Sequence, residues 1–157
     1  MIYVLSIDWL SVFGIFAGEG DIWKPIESTE FAYKRETFGT RCFSVFHRIR
    51  IANSEGGWDE FAEVQSVPYS SILPPYAIII RFVNRVLYMP DFWQVVERFL
   101  SLNQIEIRGI TRIDICADFN QFATIDPKAL IEGFAGKRYR HIGRGVVLGS
   151  REVRHVI

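Results

Sequence analysis

Alternation of apolar and polar side chains runs through much of the first two-thirds of the chain, and a period of two predicts strands. A long β-rich run covers Tyr3 to Phe16, and the Gly/Asp/Pro stretch from Gly18 to Pro25 reads as a loop. Phe31 to Thr37 alternates weakly. Phe43 to Asn53 alternates well, with Phe43, Val45, His47, Ile49 and Ile51 on one side and Ser44, Arg48 and Arg50 on the other; Phe46 is the exception. The segment Asn-Ser-Glu-Gly-Gly at 53–57 has the composition of a hairpin turn and leads into a strand from Asp59 to Val67, where Phe61, Glu63 and Gln65 share a face. Pro68 and Pro74-Pro75 bracket another loop. Ala77 to Val83 is an almost unbroken apolar run, the mark of a central strand.

The period then changes. Phe92, Val95, Val96, Phe99 and Leu100 recur at helical spacing, with Pro90 at the first helical position and Asp91 at the positive end of the dipole. Ile105 to Phe119 returns to strand. Asp126, Pro127 and Gly136 bracket a second helix whose buried stripe is Leu130, Ile131 and Phe134, and Val146 to Leu148 is a last short apolar run. Many strands with two later helices predict an α+β fold: an antiparallel β-sheet with two helices packed on one face, in a single domain spanning 1–157.

One strand carries chemistry as well as fold. From Ile110 to Asn120, alternation puts Arg112, Asp114, Cys116 and Asp118 on one side and Ile113, Ile115, Ala117 and Phe119 on the other, so one side is expected to be core and the other a site. Two carboxylates two positions apart stand about 7 Å apart along a strand. They can share a divalent cation, or Asp114 can pair with Arg112 while Asp118 begins a turn; spacing leaves both readings open. Glu63 is the best third acid, because a carboxylate among apolar and amide neighbours is costly unless partnered, although an outward-facing strand Glu is the more ordinary case. Asp8 poses the same choice. Carboxylates without histidine pairs favour Mg²⁺ or Mn²⁺ over zinc.

Composition removes several function classes. The 157 residues are 49% apolar and 15% aromatic, which is globular, and the formal charge is zero with 18 basic and 18 acidic side chains. The distribution is uneven: Lys137, Arg138, Arg140, Arg144, Arg151 and Arg154 make the end basic, which suits phosphate contacts or a solvated surface. Cys42 and Cys116 form no disulfide framework or Cys-x-x-Cys site, and a reducing cytoplasm fits them. No stretch has the length or composition of a membrane span or signal peptide. His47, His141 and His155 stand apart, and His47, on the apolar side of its strand, reads as a satisfied core histidine. Walker A, Gly-x-Ser-x-Gly and dinucleotide-binding glycine patterns are missing.

Three motifs in order, Ile7-Asp8-Trp9-Leu10-Ser11-Val12, Arg112-Ile113-Asp114-Ile115-Cys116-Ala117-Asp118 and Leu148-Gly149-Ser150-Arg151, resemble the replication initiation factor family of plasmids, phages and conjugative elements. The resemblance implies a rolling-circle initiator or relaxase-like protein that nicks origin DNA with a tyrosine, joins its 5′ phosphate and needs a divalent metal. It implies metal contacts from Asp114, Asp118 and Glu63, phosphate contacts from Arg48, Arg50, Arg112, Lys137, Arg138, Arg140 and Arg144, and base stacking by Tyr139. Single-stranded or hairpin origin DNA would be the partner, with a host helicase beside it and no membrane. The family's Tyr-x-Lys strand follows the Gly-Ser segment and has no counterpart up to Ile157, so no catalytic residue is assigned and an N-terminal portion is expected. Two readings compete: a small metal-dependent nuclease that uses water, and a non-catalytic interaction module presenting Trp58, Phe92 or Trp93.

Overall fold

The computed structural model describes residues 3–20, 22–119, 139–142, 145–149 and 154–156, with backbone alone for residues 3–5, 117–119 and the segments after 138. Its strands are β1 (Tyr3–Phe16), β2 (Phe31–Arg35), β3 (Phe43–Ala52), β4 (Trp58–Pro68), β5 (Ala77–Phe82), β6 (Ile105–Phe119), β7 (Tyr139–Ile142), β8 (Gly145–Gly149) and β9 (Arg154–Val156). A 3₁₀ turn at Asn84–Tyr88 precedes the helix α1 (Phe92–Leu102). The chain divides into two compact units, Trp9–Ile113 and the combination of Met1–Asp8 with Asp114–Ile157. Strands β1 and β6 each contribute residues to both.

Within Trp9–Ile113 the sheet runs in the order β2-β3-β4-β5-β1-β6 and is antiparallel. The β3–β4 hairpin closes as its turn residues predict: the Gly57 N–H donates 2.7 Å to Asn53 Oδ1 and the Asn53 N–H 3.0 Å to the Gly57 carbonyl. Gly56 sits at φ +79, where a glycine is cheap. Strand β5 is central, paired with β4 on one side and β1 on the other, which explains its apolar run. Strand β6 lies at the edge beside β1: the Ala17 N–H donates to the Gln104 carbonyl at 2.8 Å, and the Thr111 hydroxyl to that of Ser11 at 2.9 Å. The other unit holds the three-stranded antiparallel sheet β7-β8-β9.

The core lies between one face of the six-stranded sheet and α1. Phe92, Val95, Val96 and Phe99, one stripe of the helix, are all buried. Phe99 packs on Phe31 and Phe61 with both centroids 5.4 Å away, and Phe92 meets Phe82 edge-on at 5.3 Å. Such pairs add about 0.5–1.5 kcal/mol each to the burial of their area. Asn103 closes the helix and is fully buried. Its amide donates 2.9 Å to the Tyr33 hydroxyl and 2.9 Å to the Phe99 carbonyl, and its Oδ1 accepts from the Ile26 N–H, which ties the 23–27 segment to the helix end.

Several expectations need correction. Ile113 and Ile115 are not core: they are 43% and 69% exposed, because no element among the described residues covers them. Phe61 does not share a face with Glu63 and Gln65. The β3–β4 register shifts between Ile49 and Arg50, which then faces Glu60, and the extra residue Phe61 is buried beside Ala62. Pro90 is not the first helical residue; the helix begins at Phe92 with Asp91 as its cap, and the Asp91 side chain makes no capping bond. Phe92 is buried and presents no surface, whereas Trp58 and Trp93 are exposed. One α-helix is found among the described residues; the helix expected after Asp126 lies outside them.

Candidate nucleic-acid interface

The pleat that turns Leu10, Val12, Val64, Ile80 and Phe82 inward sends Ser11, Glu63 and Arg81 to the face opposite α1. Register then lines up a row across the sheet. Lys34 on β2 stands opposite Arg48 on β3, Arg48 opposite Glu63 on β4, Glu63 opposite Arg81 on β5, and Arg81 opposite Ser11 on β1. The Ser11–Thr111 hydroxyl pair carries the row to β6.

The charges in this row are coupled. Arg48 Nε donates 2.9 Å to Glu36 Oε1, and its guanidinium lies 3.7 Å from Glu60 and 3.8 Å from Glu63. The second oxygen of Glu63 accepts from Arg81 at 3.2 Å, so this carboxylate stands between two cations. About 40% of each arginine side chain remains in solvent. Trp9, half-buried on the same face as Ser11, holds the Arg81 guanidinium 3.7 Å from its ring centroid and that of Arg112 at 4.3 Å. Arg50 is exposed on β3 opposite Ala32.

The remaining expected site residues distribute as follows. Asp114 and Cys116 are half-buried on β6 and Asp8 is exposed on β1. Asp118 belongs to β6, and Tyr139 and Arg140 to β7; the side chains of all three lie outside the described residues, as do Lys137, Arg138 and Arg144 entirely. Among the described residues, no group of three or more His, Cys, Asp or Glu is placed to hold a metal ion. The oxygens of Glu63 already serve Arg48 and Arg81, and a cation would have to displace them.

His47 is buried as expected, but its Nδ1 has no partner among the described residues. It meets Trp23 edge-on at 5.3 Å, and burial, assisted by Arg35, holds its pKa below the usual imidazole value.

No family model matches the chain, and neither does any curated protein or solved structure. No helix among the described residues is long and apolar enough to cross a membrane.

Arg81 and Trp9 carry little sequence signal. Arg81 is embedded in the run Ala-Ile-Ile-Ile-Arg-Phe, where the apolar residues dominate, and Trp9 reads as another large apolar residue of its strand. The available clue was Arg81 itself: a charge inside a central strand must emerge on a solvated face or find a partner.

Proposed function

We propose that the chain is a DNA-binding replication initiation protein of the rolling-circle type, which takes unpaired or hairpin DNA on the sheet face opposite α1. The observation that carries this reading is the cross-strand row of Arg48, Glu63 and Arg81 with Arg112 gathered beside Trp9, on the side of the sheet that α1 leaves uncovered. Guanidiniums offer phosphates a fork of donors, which Arg48 and Arg81 would turn from their carboxylate partners, and aromatic or guanidinium planes among them accept unpaired bases. The motif resemblance supplies the biological role.

In this reading a divalent ion, Mg²⁺ or Mn²⁺, belongs to Asp114 and Asp118, while Glu63 serves the arginines. When bound, such an ion polarises a phosphate oxygen and offsets charge at phosphorus. Asp114 and Asp118 would orient that ion. No residue of the chain is assigned as nucleophile.

A titration of labelled hairpin and single-stranded DNA against the full chain tests the reading. Binding should be evident at low salt and weaken steeply as salt rises, with a log–log slope set by the phosphates contacted. Absence of binding at low salt would refute it. The metal assignment predicts a Mn²⁺-dependent thermal shift that Asp114→Asn and Asp118→Asn each abolish.

A further inference from the structure

We infer that residues 22–29 form a strap latched by the seating of Trp23 on His47, and that a proton taken up by His47 releases it. The inference concerns the α1 side of the sheet and does not depend on the DNA-binding reading. Trp23 is the one buried residue of the strap, at 3% exposure, whereas Ile22, Lys24, Ile26, Glu27, Ser28 and Thr29 are exposed. Farther along, the Ile26 N–H reaches Asn103 Oδ1 at 3.4 Å and the Ser28 N–H donates 3.2 Å to the Phe31 carbonyl, so that end is fastened by hydrogen bonds and Trp23 holds the other. Ile22, Lys24 and Ile26 share a cleft of about 680 Å³ with Phe16, Gly18 and Gln104, and movement of the strap changes its shape.

The latch closes over polar atoms that it does not satisfy. Trp23 and His47 meet edge-on with ring centroids 5.3 Å apart, and neither Trp23 Nε1 nor His47 Nδ1 has a hydrogen-bond partner among the described residues. Neutral His47 can keep Nδ1 as a bare acceptor; the imidazolium turns it into a donor that needs an acceptor and places a charge in a site only 6% exposed. Arg35 on β2 and Val64 on β4 stand opposite His47, Val45 and Ile49 flank it on β3, and Lys24 and Glu27 of the strap are exposed. The charge that acts on the imidazole is Arg35, which together with burial disfavours the proton. Strands β2, β3 and β4 are fixed by their ladders, so the strap is the part that yields, and its release hydrates both unpaired nitrogens. Once open, His47 returns to its ordinary pKa of about 6.5. Protons therefore favour the open form, and its ratio to the closed form rises by up to about tenfold per pH unit below that value until the closed-form pKa is reached.

Fluorine NMR of the full chain labelled with 5-fluorotryptophan tests this, the four indoles being assigned by single Trp→Phe variants. The H₂O–D₂O isotope shift of each resonance reads solvent exposure, which a nearby charge alone does not change. At pH 7.5 Trp23 should be shielded from solvent, and Trp58 and Trp93 accessible. As pH falls to 5.5, the Trp23 isotope shift should rise toward that of Trp58 and Trp93 while Trp9 keeps its value, with the open-to-closed ratio growing by up to about tenfold per pH unit. His47→Gln should keep Trp23 shielded at both pH values, and His47→Leu repeats the comparison where the amide disturbs folding. A Trp23 that stays shielded throughout in the parent chain, or that opens equally in a folded His47 variant, would overturn the inference. Movement of Trp9 together with Trp23 would mean general unfolding and would overturn it as well.

Discussion

The two faces of the six-stranded sheet come from the same strands and the same pleat, yet they are built on opposite terms. Under α1, Phe31, Phe61, Phe82, Phe92 and Phe99 form a contiguous aromatic core with ring centroids 5.3–5.6 Å apart. On the other face the corresponding positions hold Arg48, Glu63 and Arg81, partly solvated and joined by contacts of 3.2–3.8 Å, with Ser11 buried beside them. The first face stabilises the fold by removing apolar area from water; the second gains little from its ion pairs, because exposed pairs are worth at most about 1 kcal/mol.

The comparison is broken most forcefully on the core face. Phe99→Ala should cost about 3–5 kcal/mol in urea unfolding, since the ring touches both Phe31 and Phe61 and is fully buried. A loss below about 1 kcal/mol would mean that α1 is not seated there. Asn103→Ala comes next, at about 1–3 kcal/mol, because it strands the Ile26 N–H and removes the donor to the Tyr33 hydroxyl.

On the opposite face the effect on stability should be small and the effect on binding large. Glu63→Gln removes the anion between Arg48 and Arg81 and should change unfolding free energy by less than about 1 kcal/mol, while tightening single-stranded DNA binding and steepening its salt dependence. A large destabilisation with no change in binding would make the row a structural device.

The smallest effect concerns His47. Its folded-state pKa is lowered by burial and by Arg35, so below the ordinary imidazole pKa the unfolded chain binds more protons than the folded one. Stability from this group is therefore complete above about pH 6.5 and declines as pH falls through that value toward the folded pKa. Chemical denaturation between pH 7.5 and 5.5 should show this decline, and His47→Gln should flatten it.

Much of the strand framework was legible in the residues. The bounds of β1 and β6 and the hairpin at 53–57 follow from alternation and turn composition, which are local properties. What escaped was whatever depends on neighbours. Alternation in β6 marks Ile113 and Ile115 as one side of a strand but cannot say that no strand or helix among the described residues covers them. The register shift that buries Phe61 arises from pairing with β3 and leaves no trace in β4 alone. The site divided the same way. Arg48, Arg112 and Glu63 were recognisable as charges in strands, whereas their assembly with Arg81 and Trp9 depends on the order β3-β4-β5-β1-β6, a long-range fact.

The central claim is that DNA meets the face opposite α1, and arginine side-chain NMR tests it most directly. Arg98 is the internal control: it is held by Glu30 beside α1, with Nη2 2.7 Å and Nε 3.0 Å from Oε1. On titration of the ¹⁵N-arginine-labelled chain with oligo-dT at low salt, the Nε–H signals of Arg48, Arg81 and Arg112 should move together and that of Arg98 should stay. Movement of Arg98 with those three unchanged would contradict the account.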